Sequence, residues 1–326
     1  MSPRVFRVEL TRLRWRRAVL ALLLLAVVIP VLIGASRAWS TRPVSEDELA
    51  GVAREQAGEI ERCVDKPRRY FGIPKEEVSE ARCTDLIVGW YTGREKLSLA
   101  EEREGGPGMA VVAVLTALLL LAGTTFVGHD WNSGSMSNQL LFEPRRRRVW
   151  AAKALAVTVV ALVAATVVSS AYWLAMWSTM RARDLPMRDG ALTDSLAFGL
   201  RGAAFAAAAA LGGYALTMLL RSTVATIGVL FAVSVAGGVI VAVLGLSEHW
   251  QPQKNVAAIV KNGTTYYVEP PPSCYAENQG DRPPVRGSEC SGERELSLWS
   301  GTGYDGTALV LTAGVSLVSF RRRDVS

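Results

Sequence analysis

The residues in this chain best suited to specific work lie between His129 and Lys153, in the stretch HDWNSGSMSNQLLFEPRRRRVWAAK. Long apolar runs flank it on both sides. The stretch is too polar to enter lipid and too patterned to be a bare linker. Gly134 permits a tight turn. Ser135 suits the N-cap of a short helix, Met136–Phe142, which would set Met136, Gln139 and Leu140 on one face. Pro144 ends that helix, because the residue before a proline disfavours the helical region. Arg145–Arg148 then anchor the next apolar run at anionic headgroups. The chemistry this arrangement suits is docking: a short helix across a membrane surface offers a knob to a groove on a soluble partner. The plainer reading is a basic loop that only fixes topology.

No catalytic constellation accompanies it. There is no GxxxxGK[ST] loop to cradle nucleotide phosphates, no HExxH and no GxSxG. The chain is therefore expected not to be an enzyme. Arg201, near the outer end of the fourth apolar run, reads as the one charge inside a span. It suits contact with an anionic substrate or lipid, or simple snorkelling to the headgroups. A proton- or sodium-driven carrier would hold acidic or histidine residues near the midplane. Their apparent lack from the spans argues that energy comes from outside the chain.

The four cysteines, Cys63, Cys83, Cys274 and Cys290, all fall in segments expected on the oxidising side. Four cysteines allow three connectivities. Pairing within each loop, Cys63–Cys83 and Cys274–Cys290, closes short loops and is the expectation. Zinc is the competitor, but no CxxC or HxxxH spacing supports a metal site. His129 and His249 are expected on opposite faces, so they do not share a metal.

These residues must be positioned by membrane helices. Half of the 326 residues are hydrophobic, and they gather in runs of roughly 18–25 residues, enough to cross about 30 Å of hydrocarbon. The organisation expected is a leader 1–17, spans at 18–35, 109–128, 154–177, 200–220, 224–246 and 299–320, outer segments 36–108, 178–199 and 247–298, the inner junction 129–153, and a tail 321–326. The last span is convincingly apolar only over Thr307–Phe320. The fold class is thus all-α, with six transmembrane helices and a small disulfide-stapled outer domain from the two long loops.

Charge sets the orientation. The leader holds six arginines against one glutamate, and the junction five basic residues against two acidic ones. The segment 36–108 holds twelve basic and fifteen acidic residues, and 247–305 five and eight. Positive segments face the cytoplasm, which puts both termini inside. The basic balance therefore reflects topology and argues against nucleic acid as a partner, since no aromatics interleave with the basic residues. Eight of the nine tryptophans, all but Trp90, lie near expected span ends. Small residues after the first run resemble a signal-peptidase site, but the run fills a whole bilayer, so an uncleaved helix is expected.

The outer segments carry local signals. Ser45-Glu46-Asp47-Glu48 is a capping box, and another short helix is expected after Pro74. Asn262-Gly263 between AAIVK and TTYYV reads as a β-hairpin turn. Small residues recur every four positions at Gly202, Ala206 and Ala210, again at Gly228, Ala232 and Ala236, and at Ser234, Gly238 and Ala242. Such stripes suit close helix packing within one subunit or across a dimer. In the leader, Phe6, Leu10 and Leu13 share a face, as in an interfacial helix.

The junction resembles the segment after the second span of ABC-2-type transporter permeases. There an acidic residue precedes Gly-Thr-Leu, a Leu pair, Pro, Arg and a Lys that opens the third span. Here the match runs through Asp130, Gly134, Ser135, Met136, Leu140, Leu141, Pro144, Arg147 and Lys153, with Asp, Ser and Met replacing Glu, Thr and Leu. The short last span with its Arg321–Arg323 end, and the amphipathic leader, resemble that family in architecture. The resemblance implies a permease subunit in the plasma membrane, most simply an exporter, paired with a second permease chain and with separate ATPase subunits. ATP and Mg would sit on those ATPases, and no cofactor on this chain. The rival expectation is a membrane-embedded sensor or immunity-type interaction protein with no ATPase.

Overall fold

A computed structural model describes residues 3–66, 79–244, 248–270 and 289–322. The chain opens with α1 (Pro3–Arg14) and α2 (Arg17–Ser40). Three short helices follow, α3 (Glu46–Glu55), α4 (Ala57–Asp65) and α5 (Glu80–Thr92), and then α6 (Leu99–Glu104). The bundle continues with α7 (Pro107–Asn132), the short α8 (Ser135–Phe142), α9 (Arg146–Ala182), α10 (Ala191–Leu220) and α11 (Thr223–Val243). The last section holds α12 (Pro252–Lys261), β1 (Thr264–Tyr267), β2 (Glu293–Leu296) and α13 (Leu298–Arg322).

Five of these helices, α2, α7, α9, α10 and α11, are long and apolar enough to cross a membrane. α2, α7, α9 and α10 cover the first four expected spans, and α11 covers the fifth as far as Val243. Their outward faces fit only one solvent. Leu24, Val31 and Leu32 on α2, and Phe231 and Val233 on α11, are more than half exposed. An apolar surface of that extent is a liability in water and the solvated face in lipid. The chain is a multi-pass membrane protein. α13 is a continuous helix of 25 residues, but its first half, LWSGTGYDGT, is too polar to place it with the other five.

α10 is the central helix, packed against α7, α9 and α13. Small residues make this possible. A methyl group added at Gly123 of α7 would lie 2.4 Å from the Ala210 carbonyl oxygen of α10, and one at Gly202 of α10 would lie 2.5 Å from Val112. The Gly202–Ala206–Ala210 stripe is therefore spent on packing inside the chain. On α11, by contrast, Gly228 and Gly238 meet nothing within 4 Å, and Ala232 and Ala236 are exposed.

The outer segments form two units. α3, α4 and α5 enclose a small core of Ile60, Cys63, Cys83 and Ile87, with the Cys63–Cys83 disulfide across it. Ser45 caps α3 by accepting from the Glu48 N–H at 3.3 Å, as its sequence box requires. The helix expected after Pro74 falls in 67–78, outside the described residues; α5 starts at Glu80. The last loop contributes no residue to this core among those described, but it touches the first outer segment where Lys261 donates to the Glu104 carbonyl at 3.1 Å. Cys290 is disulfide-bonded, while Cys274 lies outside the described residues. With both Cys63 and Cys83 replaced by serine, the α3–α5 unit should lose about 3 kcal/mol, the loop-entropy value for a closure of this length. Trypsin should then cut there first, with the membrane core uncut. Unchanged proteolysis would contradict that.

The hairpin at Asn262-Gly263 does not form. The AAIVK run belongs to α12, and Asn262, at φ 68°, caps its C-terminus. The Gly263 N–H donates back to the Ala258 carbonyl at 2.8 Å. Both residues take the positive φ that a hairpin turn would need, but a helix end needs it too. β1 pairs antiparallel with β2, thirty residues away in sequence, with Thr264 opposite Leu296. Glu248 accepts from the Tyr267 N–H at 3.1 Å and from Lys254 at 3.0 Å, contacts that hold its carboxyl below the usual range and pin β1 to the turn before α12.

Candidate functional site

The basic segments meet at one end of the bundle. α1 lies across the starts of α2 and α9, and α7 ends at Asn132. Gly134, at φ 68°, reverses the chain into α8 after only two linking residues; a side chain there would strain the left-handed backbone. α9 then begins at Arg146, so Lys153 sits two turns inside a helix of 37 residues. By its rise that helix is about 56 Å long, well beyond the hydrocarbon thickness. This geometry brings distant parts of the sequence to one point.

At that point lies a buried charged knot. Lys153 Nζ stands 2.8 Å from Glu9 Oε2 and 2.5 Å from Asp130 Oδ2, and all three side chains are fully buried. Asp130 Oδ1 accepts from Arg16 at 2.5 Å, from Arg12 at 3.1 Å and from the Ser135 hydroxyl at 2.8 Å. Arg12 also donates to Gln139 Oε1 at 2.8 Å, and the Gln139 amide donates to Glu9. Lys153 Nζ lies 5.2 Å from the centre of the Phe126 ring. Three cations thus face two carboxylates, and every group has a partner. Burying ions costs several kcal/mol each, so the whole knot adds little net stability, while loss of any one partner is costly. Here it ties α1, α7, α8 and α9 together.

Of the residues that resemble the permease motif, Asp130, Ser135 and Lys153 meet in this knot. Gly134 shapes the turn. Met136 is fully buried, and Leu140 packs against the core. The face expected to serve as a knob, Met136, Gln139 and Leu140, is therefore turned inward. The outward face is Asn138, Leu141 and Phe142, with Leu141 80% and Phe142 90% exposed. Pro144 and Arg147 are exposed beside them. Arg146 donates to the Phe320 carbonyl at 3.3 Å, and Phe320 stacks edge-on against Trp131 at 6.2 Å, so the end of α13 joins the same region.

Glu9, Arg12 and Arg16 join this site although the motif did not point to them, and Gln139, expected only as part of a helix face, bonds both Arg12 and Glu9. The signal was present in the leader: Glu9 is its only acidic residue, and 9, 12 and 16 share helical spacing. Leu13 is buried as the amphipathic reading implied, but the same face carries Glu9. Tryptophans were overread. Trp173 is a core residue, 1% exposed and stacked edge-on against Tyr172 and Phe198.

The opposite end is tied differently. Arg37 donates to the buried Glu102 at 2.6 Å, Tyr172 donates to the same carboxylate at 3.2 Å, and Arg183 donates to the Ala38 carbonyl at 2.6 Å. Arg201 does not simply snorkel: its Nε donates to the Val260 carbonyl at the end of α12, at 2.9 Å. It is also not the one charge in the bundle, because Asp305 lies in α13 with Oδ2 buried. Asp305 falls within the expected span 299–320, in its polar start, although its charge is summed with the outer segment.

No family model, curated protein or solved structure matches this chain. Among the described residues no group of His, Cys, Asp or Glu is arranged to hold a metal ion.

Proposed function

We propose that the chain is the permease subunit of an ATP-driven ABC-2-type transporter, with six spans and both termini in the cytoplasm. In this reading α13 is the sixth span, and the end that carries the charged knot faces the cytoplasm, as the excess of arginine there requires. The plasma membrane is its location, export is its direction, and a second permease chain completes the path. Separate ATPase subunits, with their own ATP and Mg, supply the energy. The chain itself carries no nucleotide-binding loop.

One observation carries the reading: α8 presents an exposed Leu141–Phe142 pair on a helix whose inner face is locked to three others through Asp130, Ser135 and Lys153. An exposed apolar pair on a flexible loop would transmit nothing. On a helix fastened to the ends of α7 and α9, a push becomes a tilt of the bundle. Exposed apolar residues of this size at the membrane surface suit a socket on a soluble partner.

The test is purification of the full chain from its native membrane under mild detergent. A co-purifying protein with a Walker loop, and nucleotide hydrolysis that this chain accelerates, are expected. A chain that binds an extracellular ligand and signals with no such companion would instead favour the sensor reading.

A further inference from the structure

Between α10 and α13 lies a cavity of about 640 Å³, lined also by Leu120 of α7, Leu230 of α11 and Ile259 of α12, and running from Arg201 to Leu216 along α10. Its size is that of a site for a drug-sized molecule. The α10 wall is Ala204, Ala208 and Gly212, so its floor is smooth and wide, and Phe205 adds a ring. Two charged residues line it, Arg201 and Asp305.

Their surroundings differ. Arg201 has its Nε bonded to the Val260 carbonyl. Asp305 Oδ2 is buried and has no hydrogen-bond partner among the described residues. The nearby hydroxyls do not serve it, since Thr302 and Thr312 donate to the Leu298 and Ala308 carbonyls of their own helix, each at 2.8 Å. Depth separates the two charges. A methyl group at Gly212 would touch Leu309 at 3.6 Å, which sets these two residues level. Arg201 is eleven residues before Gly212, about 16 Å along α10, whereas Asp305 is one turn, about 6 Å, before Leu309. Asp305 therefore lies about 10 Å further along the cavity than Arg201, beside its alanine and glycine wall. Oδ2 is sealed by protein, so the carboxylate meets the cavity through its other oxygen, and no described residue donates to either one; a carboxylate so placed gains from a charged donor that enters the cavity.

We propose that this cavity binds a monovalent hydrophobic cation, an amine or onium with apolar substituents. Its charge sits at Asp305 and its apolar body lies along the alanine and glycine wall of α10. Phe205 adds attraction between the cation and its ring face. Arg201, about 10 Å away along the same cavity, disfavours a second positive charge at the far end of the ligand. This assignment does not depend on ATPase coupling, because a sensor would bind the same ligand.

Equilibrium dialysis of the purified full chain in neutral maltoside micelles tests it, with tetraphenylphosphonium as probe and tetraphenylborate as its counterpart of like shape and opposite charge. Saturable binding of the phosphonium, at one per chain and above partition into empty micelles, is expected, with no saturable binding of the borate. Asp305→Asn should weaken phosphonium binding about tenfold or more. Ala208→Leu, which fills the cavity and leaves Asp305 in place, should abolish it. Both variants should keep the thermal midpoint of the parent. A short-chain phosphatidylethanolamine distinguishes the natural source: displacement assigns the site to a lipid amine headgroup, and no displacement to a free amine, and both support a cation site. Equal binding of the two probes, or unaltered phosphonium binding by folded Asp305→Asn, would overturn the proposal.

Discussion

Replacing Lys153 with methionine lowers the stability of the detergent-solubilised chain by about 3 kcal/mol, the cost of orphaning a buried ion. Methionine matches the length of the lysine stem and keeps the packing beneath Phe126. What it removes is the cation between Glu9 and Asp130. The two carboxylates then fare differently. Asp130 retains Arg12, Arg16 and Ser135. Glu9 retains the Gln139 amide and Arg12 at 3.5 Å, too little for a fully buried charge. Most of the loss therefore falls on Glu9. It follows that Glu9→Gln added to Lys153→Met should recover the larger part, since glutamine is neutral and still meets Gln139. Thermal and denaturant unfolding of the two single variants and the double variant make the cycle. A single variant that loses less than about 1 kcal/mol, or a double variant whose losses simply add, would mean the knot is loose or wet.

The second large effect is functional. Leu141→Asp with Phe142→Asp should abolish association with the proposed ATPase and leave insertion and stability unchanged. Both side chains are almost wholly exposed, so their replacement removes no internal contact. Two apolar anchors at the centre of a docking surface carry most of its energy, and loss of about 2 kcal/mol or more at each is typical. Charge reversal at the neighbouring Arg147 should weaken association less and in a salt-dependent way, as rim charges do. Deleting Met136–Phe142 as a block is the poorer experiment. It would remove the buried Met136 and the Ser135 and Gln139 environment of the knot along with the anchors. Retained co-purification of the double aspartate variant would remove the basis for the coupling reading.

The two effects are linked by the knot. Loosening it through Lys153 should leave the ATPase bound, because Leu141 and Phe142 remain, while nucleotide hydrolysis no longer moves the bundle. Replacing the anchors should do the reverse. The pair of variants thus separates holding the partner from transmitting its stroke.

The sequence by itself determined the helical class, the five apolar helices, the Ser45 cap and the gathering of arginine in the leader and the junction, and it favoured Cys63–Cys83 among three connectivities. Each is a local or compositional property: run length against bilayer thickness, spacing of small residues, a loop of twenty residues, an oxygen three residues before an N–H. Tertiary structure decided what local signals leave degenerate. Positive φ at Asn262-Gly263 serves a hairpin and a helix end equally, and only the pairing of β1 with β2 selects the second. The face of α8 that turns outward depends on what lies beneath it, and α1, more than a hundred residues earlier, supplies Glu9 and Arg12 there. Asp305 reads as part of the polar start of the last span, and only the structure shows its Oδ2 buried in α13 without a donor. A charge in one segment says nothing about its partner in another, because ion pairing is set by the distance between helices and sequence records only the distance along the chain.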